Sequence, residues 1–188
     1  MKSKLLLASK SPRRREIMSL LRLPFTVVTI DGIDESYPKD LKPEEVSEYI
    51  ANKKADAFLN IIRKDETIIT ADTVVICEGK ILGKPKTEDE AIEMLRFLSG
   101  KTHTVTTGVT VANSGKRESF TSASYVTFAD LTEDEIRFYV DTYHPFDKAG
   151  AYGIQEWIGA VAVAKIDGSF YNVMGLPVHR LYQVLKNF

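Results

Sequence analysis

The stretch Thr67 to Ile76 places a single carboxylate, Asp72, between Ile68-Ile69-Thr70-Ala71 and Thr73-Val74-Val75-Ile76. A β-branched run of this length reads as a strand with at least one covered face. A carboxylate there is costly unless it is paired, hydrogen-bonded or bound to a metal. Asp72 is therefore either a metal ligand, the base that activates a water, or an acid at an edge or strand end facing solvent.

Around this strand, helical and extended patterns alternate. Lys4 to Ala8 is a short apolar run that stops at Ser9, and Pro12 then suits the first turn of a helix reaching about Leu21. Phe25 to Ile30 reads as a second strand, Asp31 to Lys42 as a loop, and Pro43 to about Asn60 as a helix. Thr87 can cap a helix with Ala91, Met94, Leu95 and Leu98 inward and Gly100 at its end. Two extended runs, His103 to Ala112 and Ser119 to Phe128, are joined by Asn113-Ser114-Gly115-Lys116 and predict an antiparallel hairpin. Thr132 opens a helix through Ile136, Tyr139 and Val140. Lys148 to Gln155 reads as an irregular glycine-rich segment. Ile158 to Ile166 and Tyr171 to Val173 read as strands, and Leu176 to Leu185 as a terminal helix. A central hairpin among alternating elements predicts an α/β fold around a mixed sheet rather than a purely doubly wound one.

Composition narrows the function classes. With 188 residues, 44% of them hydrophobic and 27% charged, the chain has the balance of one globular domain, residues 1–188. Its net charge of −1 supplies no overall basic field for nucleic acid, so any anion site must be local. One cysteine, Cys77, excludes an internal disulfide and a cysteine-cluster metal site, and its apolar surroundings suit a buried thiol. His103, His144 and His179 lack metal-binding spacing. No apolar stretch approaches membrane-spanning length and no secretory h-region is present, so a cytoplasmic location without membrane association is expected.

Several local patterns suit phosphate chemistry. Ser9-Lys10-Ser11-Pro12-Arg13-Arg14-Arg15 joins a strand end to a helix start, where hydroxyls, backbone N–H groups and arginines can meet an anion. A serine cap beside a solvated basic face is the plainer reading of the same residues. Lys84, in Gly83-Lys84-Pro85, could reach a phosphate from a restrained turn, and Lys54 could do so from a helix. Glu35 could join Asp72 in holding a divalent cation through oxygen ligands. Surface solvation is the ordinary role for each of these three. Ser99-Gly100-Lys101-Thr102 contains Gly-Lys-Thr, but Leu95 stands where a P-loop needs its first glycine, and a helix precedes the motif; a helix-ending turn is the simpler reading. In Asp147 to Gln155, two glycines allow close backbone approach and the Gln155 amide can both donate and accept.

Taken in order, these segments resemble the Maf family of nucleotide pyrophosphatases. The matching elements are Leu7 to Arg14, Ala51 to Ala55, Ala71-Asp72-Thr73, Gly83-Lys84-Pro85, Ser99 to His103, Asp147 to Gln155 and Gly175-Leu176-Pro177. The resemblance implies an inosine triphosphate pyrophosphatase-like α/β fold, with an elongated mixed sheet, flanking helices, two lobes and a central cleft, in a homodimer. It implies Mg²⁺- or Mn²⁺-dependent hydrolysis of nucleoside triphosphates to monophosphate and pyrophosphate. Ser9, Arg13, Arg14, Lys54 and Lys84 would then hold the triphosphate, and Glu35 and Asp72 would serve metal and water, with Asp72 the proton acceptor and Lys84 beside them in catalysis. Arg13, Thr73 and Gln155 match positions tied to base selection, and the form of Lys148 to Gln155 resembles the subgroup acting on dTTP, UTP and modified pyrimidine nucleotides. Glu156 departs from the glycine frequent in that subgroup. The alternative is a nucleotide-binding regulator of cell division and septum formation with little catalysis. Neither reading requires a stable nucleic-acid partner.

Overall fold

The computed structural model describes residues 3–188. Its first elements set the topology that matters for the site. β1 (Lys4–Ala8) lies between two parallel neighbours, β2 (Phe25–Val28) and β3 (Glu66–Cys77), with Leu6 opposite Thr26 on one side and Ile68 on the other. The connection through α1 (Pro12–Ser19) leads to β2, and the one through α2 (Pro43–Leu59) returns to the far side of β1. That reversal of direction is a topological switch point, where parallel sheets leave a crevice beyond the strands' carboxyl ends. β1 ends at Ala8, opposite Thr70, whereas β3 runs on through Asp72.

The remaining elements are β4 (Lys80–Leu82), α3 (Glu88–Leu98), β5 (Thr102–Ala112), β6 (Arg117–Phe128), α4 (Glu133–Tyr143), α5 (Trp157–Val161), β7 (Val163–Asp167), α6 (Phe170–Met174) and α7 (Val178–Leu185). The strands form one mixed sheet in the order β2-β1-β3-β5-β6-β7, with β4 antiparallel to β3. The predicted α/β mixed sheet is present. Asn113 builds the turn between β5 and β6, its Oδ1 accepting the N–H groups of Gly115 and Lys116, both at 2.9 Å. Thr87 and Thr132 cap α3 and α4, the latter in a full capping box with Glu135. Gly100, at φ +68°, ends α3 in a turn, as read from Ser99 to Thr102.

Two expectations fail. Ile158 to Ile166 is not one strand: α5 occupies its first half and β7 begins only at Val163. A short apolar run does not reveal its own period, and here the helix buries Ile158 while Gly159 lies against Ile154. Tyr171 to Val173 belongs to α6, opened by Ser169, whose Oγ accepts the Asn172 N–H at 3.3 Å. Asn172 is buried and its Nδ2 donates to Val105 O and Ser124 Oγ, contacts invisible to local propensity.

The described residues cluster into two compact units. The first comprises residues up to Thr73, Thr107–Ser122 and Gly175–Phe188; in it Leu6, Ala8, Phe58, Ile68 and Ala112 pack together. Here β5 passes so close to α2 that a Cβ on Gly108 would fall 2.2 Å from Glu48 N. The second comprises Val74–Thr106 and Ala123–Met174, with a core that includes Leu95, Leu98, Phe128, Ile136, Tyr139 and Ile158. Cys77 is buried there, as expected, and burial pushes its thiol pKa up. His103 is also buried, its Nε2 sharing a 2.7 Å hydrogen bond with the Tyr152 hydroxyl. No helix among the described residues is long and apolar enough to cross a membrane.

Candidate active site

Alternation along β3 sends Ile68, Thr70 and Asp72 to one face and Thr73 to the other. On the first face, Thr70 Oγ1 donates to Ala51 O of α2 at 2.7 Å, which fixes the helix against the strand. Lys54 lies three residues beyond Ala51, so one helical turn brings its ammonium over the residue two places beyond Thr70. That residue is Asp72. Lys54 Nζ is 2.8 Å from Asp72 Oδ1, and both side chains are 14% exposed, well below the level of a solvated surface pair.

The same ammonium reaches Glu35 Oε1 at 2.9 Å. Glu35 comes from the acidic segment between β2 and α2, which the adjacent lysine anchors: Lys53 Nζ binds Asp34 Oδ2 and Ser36 O, each at 2.9 Å. Hydrogen bonds from Ser36, and then from Lys53, hold the Asp34 carboxyl well below the usual carboxylate range. Consecutive lysines on one helix thus hold consecutive acids of the loop, and Lys54 draws Glu35 and Asp72 to a common point.

From the opposite side, α1 delivers Arg14. Its Nη1 donates to Ala71 O at 2.8 Å and its Nη2 to Thr73 Oγ1 at 3.0 Å, one contact on each side of Asp72. Its Nε donates to Gly175 O at 2.8 Å. Gly175 has φ +111°, a conformation that suits glycine and turns its carbonyl onto the guanidinium. Burial lowers the Arg14 pKa and the nearby Asp72 charge opposes that shift, but guanidinium remains charged at any ordinary pH. Thr73 Oγ1 also lies 2.9 Å from Thr107 Oγ1 of β5. Arg14 therefore holds the strand segment that carries Asp72. Expected as a phosphate holder, it spends three of a guanidinium's five donors on the protein.

The turn before α1 is built by its own hydroxyls. Ser11 caps the helix, its Oγ accepting the Arg14 N–H at 3.4 Å, and Ser9 Oγ accepts the Ser11 N–H at 3.1 Å. Lys10 pairs with Asp31 in the open. Arg13 is half-buried in the first turn. Ser9, Arg13, Arg14, Glu35, Lys54, Asp72 and Thr73 thus belong to the first unit. Lys84 and Gln155 belong to the second, both exposed: Lys84 follows β4 beside Gly83, whose carbonyl accepts the Gly150 N–H at 3.0 Å, and Gln155 precedes α5.

The donor set suits a hard divalent cation. No group of three or more His, Cys, Asp or Glu is assembled among the described residues. Glu35 and Asp72, however, already converge on one positive charge, and two carboxylates completed by phosphate oxygens and water are the usual environment of Mg²⁺. Thr107 escaped sequence reasoning because it carries no local signal, and Gly175 stood out only as part of a matching motif.

Strand order and switch point define an α/β protein of the kind that binds ligands beyond the carboxyl ends of its parallel strands. The same fold occurs in the Ham1 proteins of Staphylococcus aureus and Coxiella burnetii. The former superposes with a TM-score of 0.58 at 16% identity, covering 98% of this chain and 99% of that one. The latter gives 0.50 at 16% identity, covering 99% and 100%. The sequence matches the model of the Maf-like protein family over residues 4–188, and the chain belongs to that family. It is 55% identical over 185 residues to the dTTP/UTP pyrophosphatase of Bacteroides thetaiotaomicron, covering 98% of this chain and 96% of its relative. It is 50% identical over 189 residues to the enzyme of the same name from Porphyromonas gingivalis, covering 100% and 95%.

Proposed function

We propose that this chain hydrolyses nucleoside triphosphates to the monophosphate and pyrophosphate, acting on dTTP and UTP. The observation that carries the reading is the convergence of Glu35 and Asp72 on Lys54 beside the serine- and arginine-rich turn at the switch point. Relatives at 50–55% identity that bear the name dTTP/UTP pyrophosphatase support the same reaction. The regulator reading has no comparable support.

Water attacks the α-phosphorus, its proton passes to the Asp72 carboxylate, and the bond from that phosphorus to the bridging oxygen breaks as pyrophosphate departs. Asp72 suits this role because Arg14 grips the Ala71 carbonyl on one side of it and the Thr73 hydroxyl on the other, while its own Oδ2 is left out of the Lys54 bond. Ser9, Arg13, Arg14, Lys54 and Lys84 offset charge on the triphosphate, and Arg13, Thr73 and Gln155 select the base. Glu35 and Asp72 would hold Mg²⁺ or Mn²⁺, which when bound supplies charge neutralisation on the phosphates and leaving group. Pyrophosphate leaves readily once neutralised, so no covalent nucleophile is needed and buried Cys77 has no part.

We place the enzyme in the cytoplasm as a homodimer, which sedimentation would check. The decisive test separates the products of dTTP incubated with Mg²⁺. The expected products are dTMP and pyrophosphate. Formation of dTDP with orthophosphate, or no turnover across a nucleotide panel, overturns the proposal. Chelation should abolish turnover and added Mg²⁺ or Mn²⁺ restore it.

A further inference from the structure

Glu156 occupies the N-cap position of α5 but makes no side-chain cap. Its carboxylate turns into the second unit instead. There Oε2 accepts a hydrogen bond from the Tyr139 hydroxyl of α4, and Oε1 lies 3.1 Å from Lys148 Nζ. Tyr139 is fully buried and the Lys148 side chain is only 8% exposed, so this ion pair is shielded from solvent. Lys148 is completed by Asp147 at 2.8 Å. Burial, and then the hydrogen bond to Glu156, push the phenol pKa far up, so Tyr139 keeps its proton as a donor.

The same Tyr139 oxygen accepts the Gly153 N–H at 3.0 Å. One phenol therefore ties the first and last residues of Gly153-Ile154-Gln155-Glu156. Inside that closed segment Ile154 is buried and Gln155 is exposed. The fit is tight on both sides. A Cβ on Gly153 would lie 2.8 Å from Gln155 Nε2 and 2.9 Å from Glu156 Cδ, and one on Gly159 would lie 1.8 Å from Ile154 O.

We infer that Glu156, through Tyr139 and Lys148, positions Gln155 and so determines which pyrimidine the enzyme accepts. This rests on the function proposed above. Uracil and thymine present a donor at N3 beside an acceptor at O4, while cytosine presents the reverse. A carboxamide can satisfy either face simply by rotating, so Gln155 discriminates only if its backbone and amide are held. The hydrogen bonds through Tyr139 hold the residues on either side of Gln155, and its amide lies against Gly153, which leaves no room for a Cβ there; a site built to pair a given edge rejects the analogue that leaves its polar groups unpaired. Glu156 and Tyr139 are positioning residues: neither needs to touch the nucleotide.

The test compares kcat/KM for dTTP and dCTP in the wild type, Tyr139→Phe and Glu156→Ala, with thermal unfolding to establish that each variant folds. Tyr139→Phe removes one oxygen and with it both ties to the loop. The wild type is expected to prefer dTTP, and each variant to lose at least tenfold of that preference, chiefly through a higher KM for dTTP. A merely structural role would lower both substrates together. An unchanged dTTP to dCTP ratio in either folded variant overturns the inference, as does failure of both variants to fold, which would assign the network to stability alone. Absence of dTTP turnover in the wild type would overturn the function proposed above instead, a result distinguishable before any variant is made.

Discussion

Lys54 and Asp72 are joined at 2.8 Å with each side chain 14% exposed, and the Lys54 ammonium is shared with Glu35. The Arg14 guanidinium also lies close enough to feel both Asp72 and Glu35, so the two carboxylates face two cationic side chains and the cluster has no excess of negative charge.

Asp72→Asn keeps the shape and removes the carboxylate proposed as the proton acceptor. Turnover of dTTP is expected to fall by about 10²–10⁴-fold, the range that a positioned general base supplies. Nucleotide binding should be largely retained, as measured by calorimetry with the inactive variant. Near-normal turnover would remove Asp72 from the chemistry.

Arg14→Lys retains the charge but not the planar fork that reaches Ala71 O, Thr73 Oγ1 and Gly175 O. One ammonium cannot serve all three acceptors, and buried acceptors left unpaired cost about 1–3 kcal/mol. A lower unfolding midpoint together with a reduced kcat is expected. If stability stayed at the wild-type level while only KM rose, Arg14 would be a phosphate ligand alone and not the anchor of β3.

Gly108→Ala tests the approach of β5 to α2. The added methyl would lie 2.2 Å from Glu48 N and 2.3 Å from Ser47 C, both backbone atoms that cannot swing aside. A loss of roughly 3 kcal/mol or more is expected, at the upper end of overpacking. Denaturant unfolding with a midpoint equal to the wild type would contradict the packing described.

His103 provides a pH signature. Burial lowers its pKa from 6.5 to about 4. Between those values the unfolded chain takes up a proton that the folded chain refuses, so this residue's contribution is complete above pH 6.5 and declines as pH falls towards 4. The integrated effect is roughly 3 kcal/mol. His103→Gln, which can keep a partner for the Tyr152 hydroxyl, should show a flatter dependence of stability on pH across that window. Parallel curves for the two proteins would refute the assignment.

Most elements were legible because their signals are local. Thr87 and Thr132 announce helix starts, Asn113 to Lys116 a hairpin turn, and the β-branched run around Asp72 a covered strand. The two misread segments lacked such signals. Ile158 to Ile166 is apolar enough for either period, and the packing of Gly159 against Ile154 O decided for a helix. Phe170–Met174 is rich in residues that also suit strands, and the hydrogen bonds of Asn172 to Val105 and Ser124 depend on partners far along the chain.

Of the opening feature, the sequence by itself determined that Asp72 lies in a strand and carries a desolvation cost that must be met. It also left Ser9 to Arg14 open between an anion-binding turn and a serine cap beside a solvated basic face. Only the tertiary structure decided how the cost is met, because the partners come from separate elements. Lys54 reaches Asp72 only once Thr70 has set the register of α2, and Arg14 grips Ala71 and Thr73 only because the chain reverses direction around β1. Spacing within one element fixes which residues share a face; which face meets which is set by the topology.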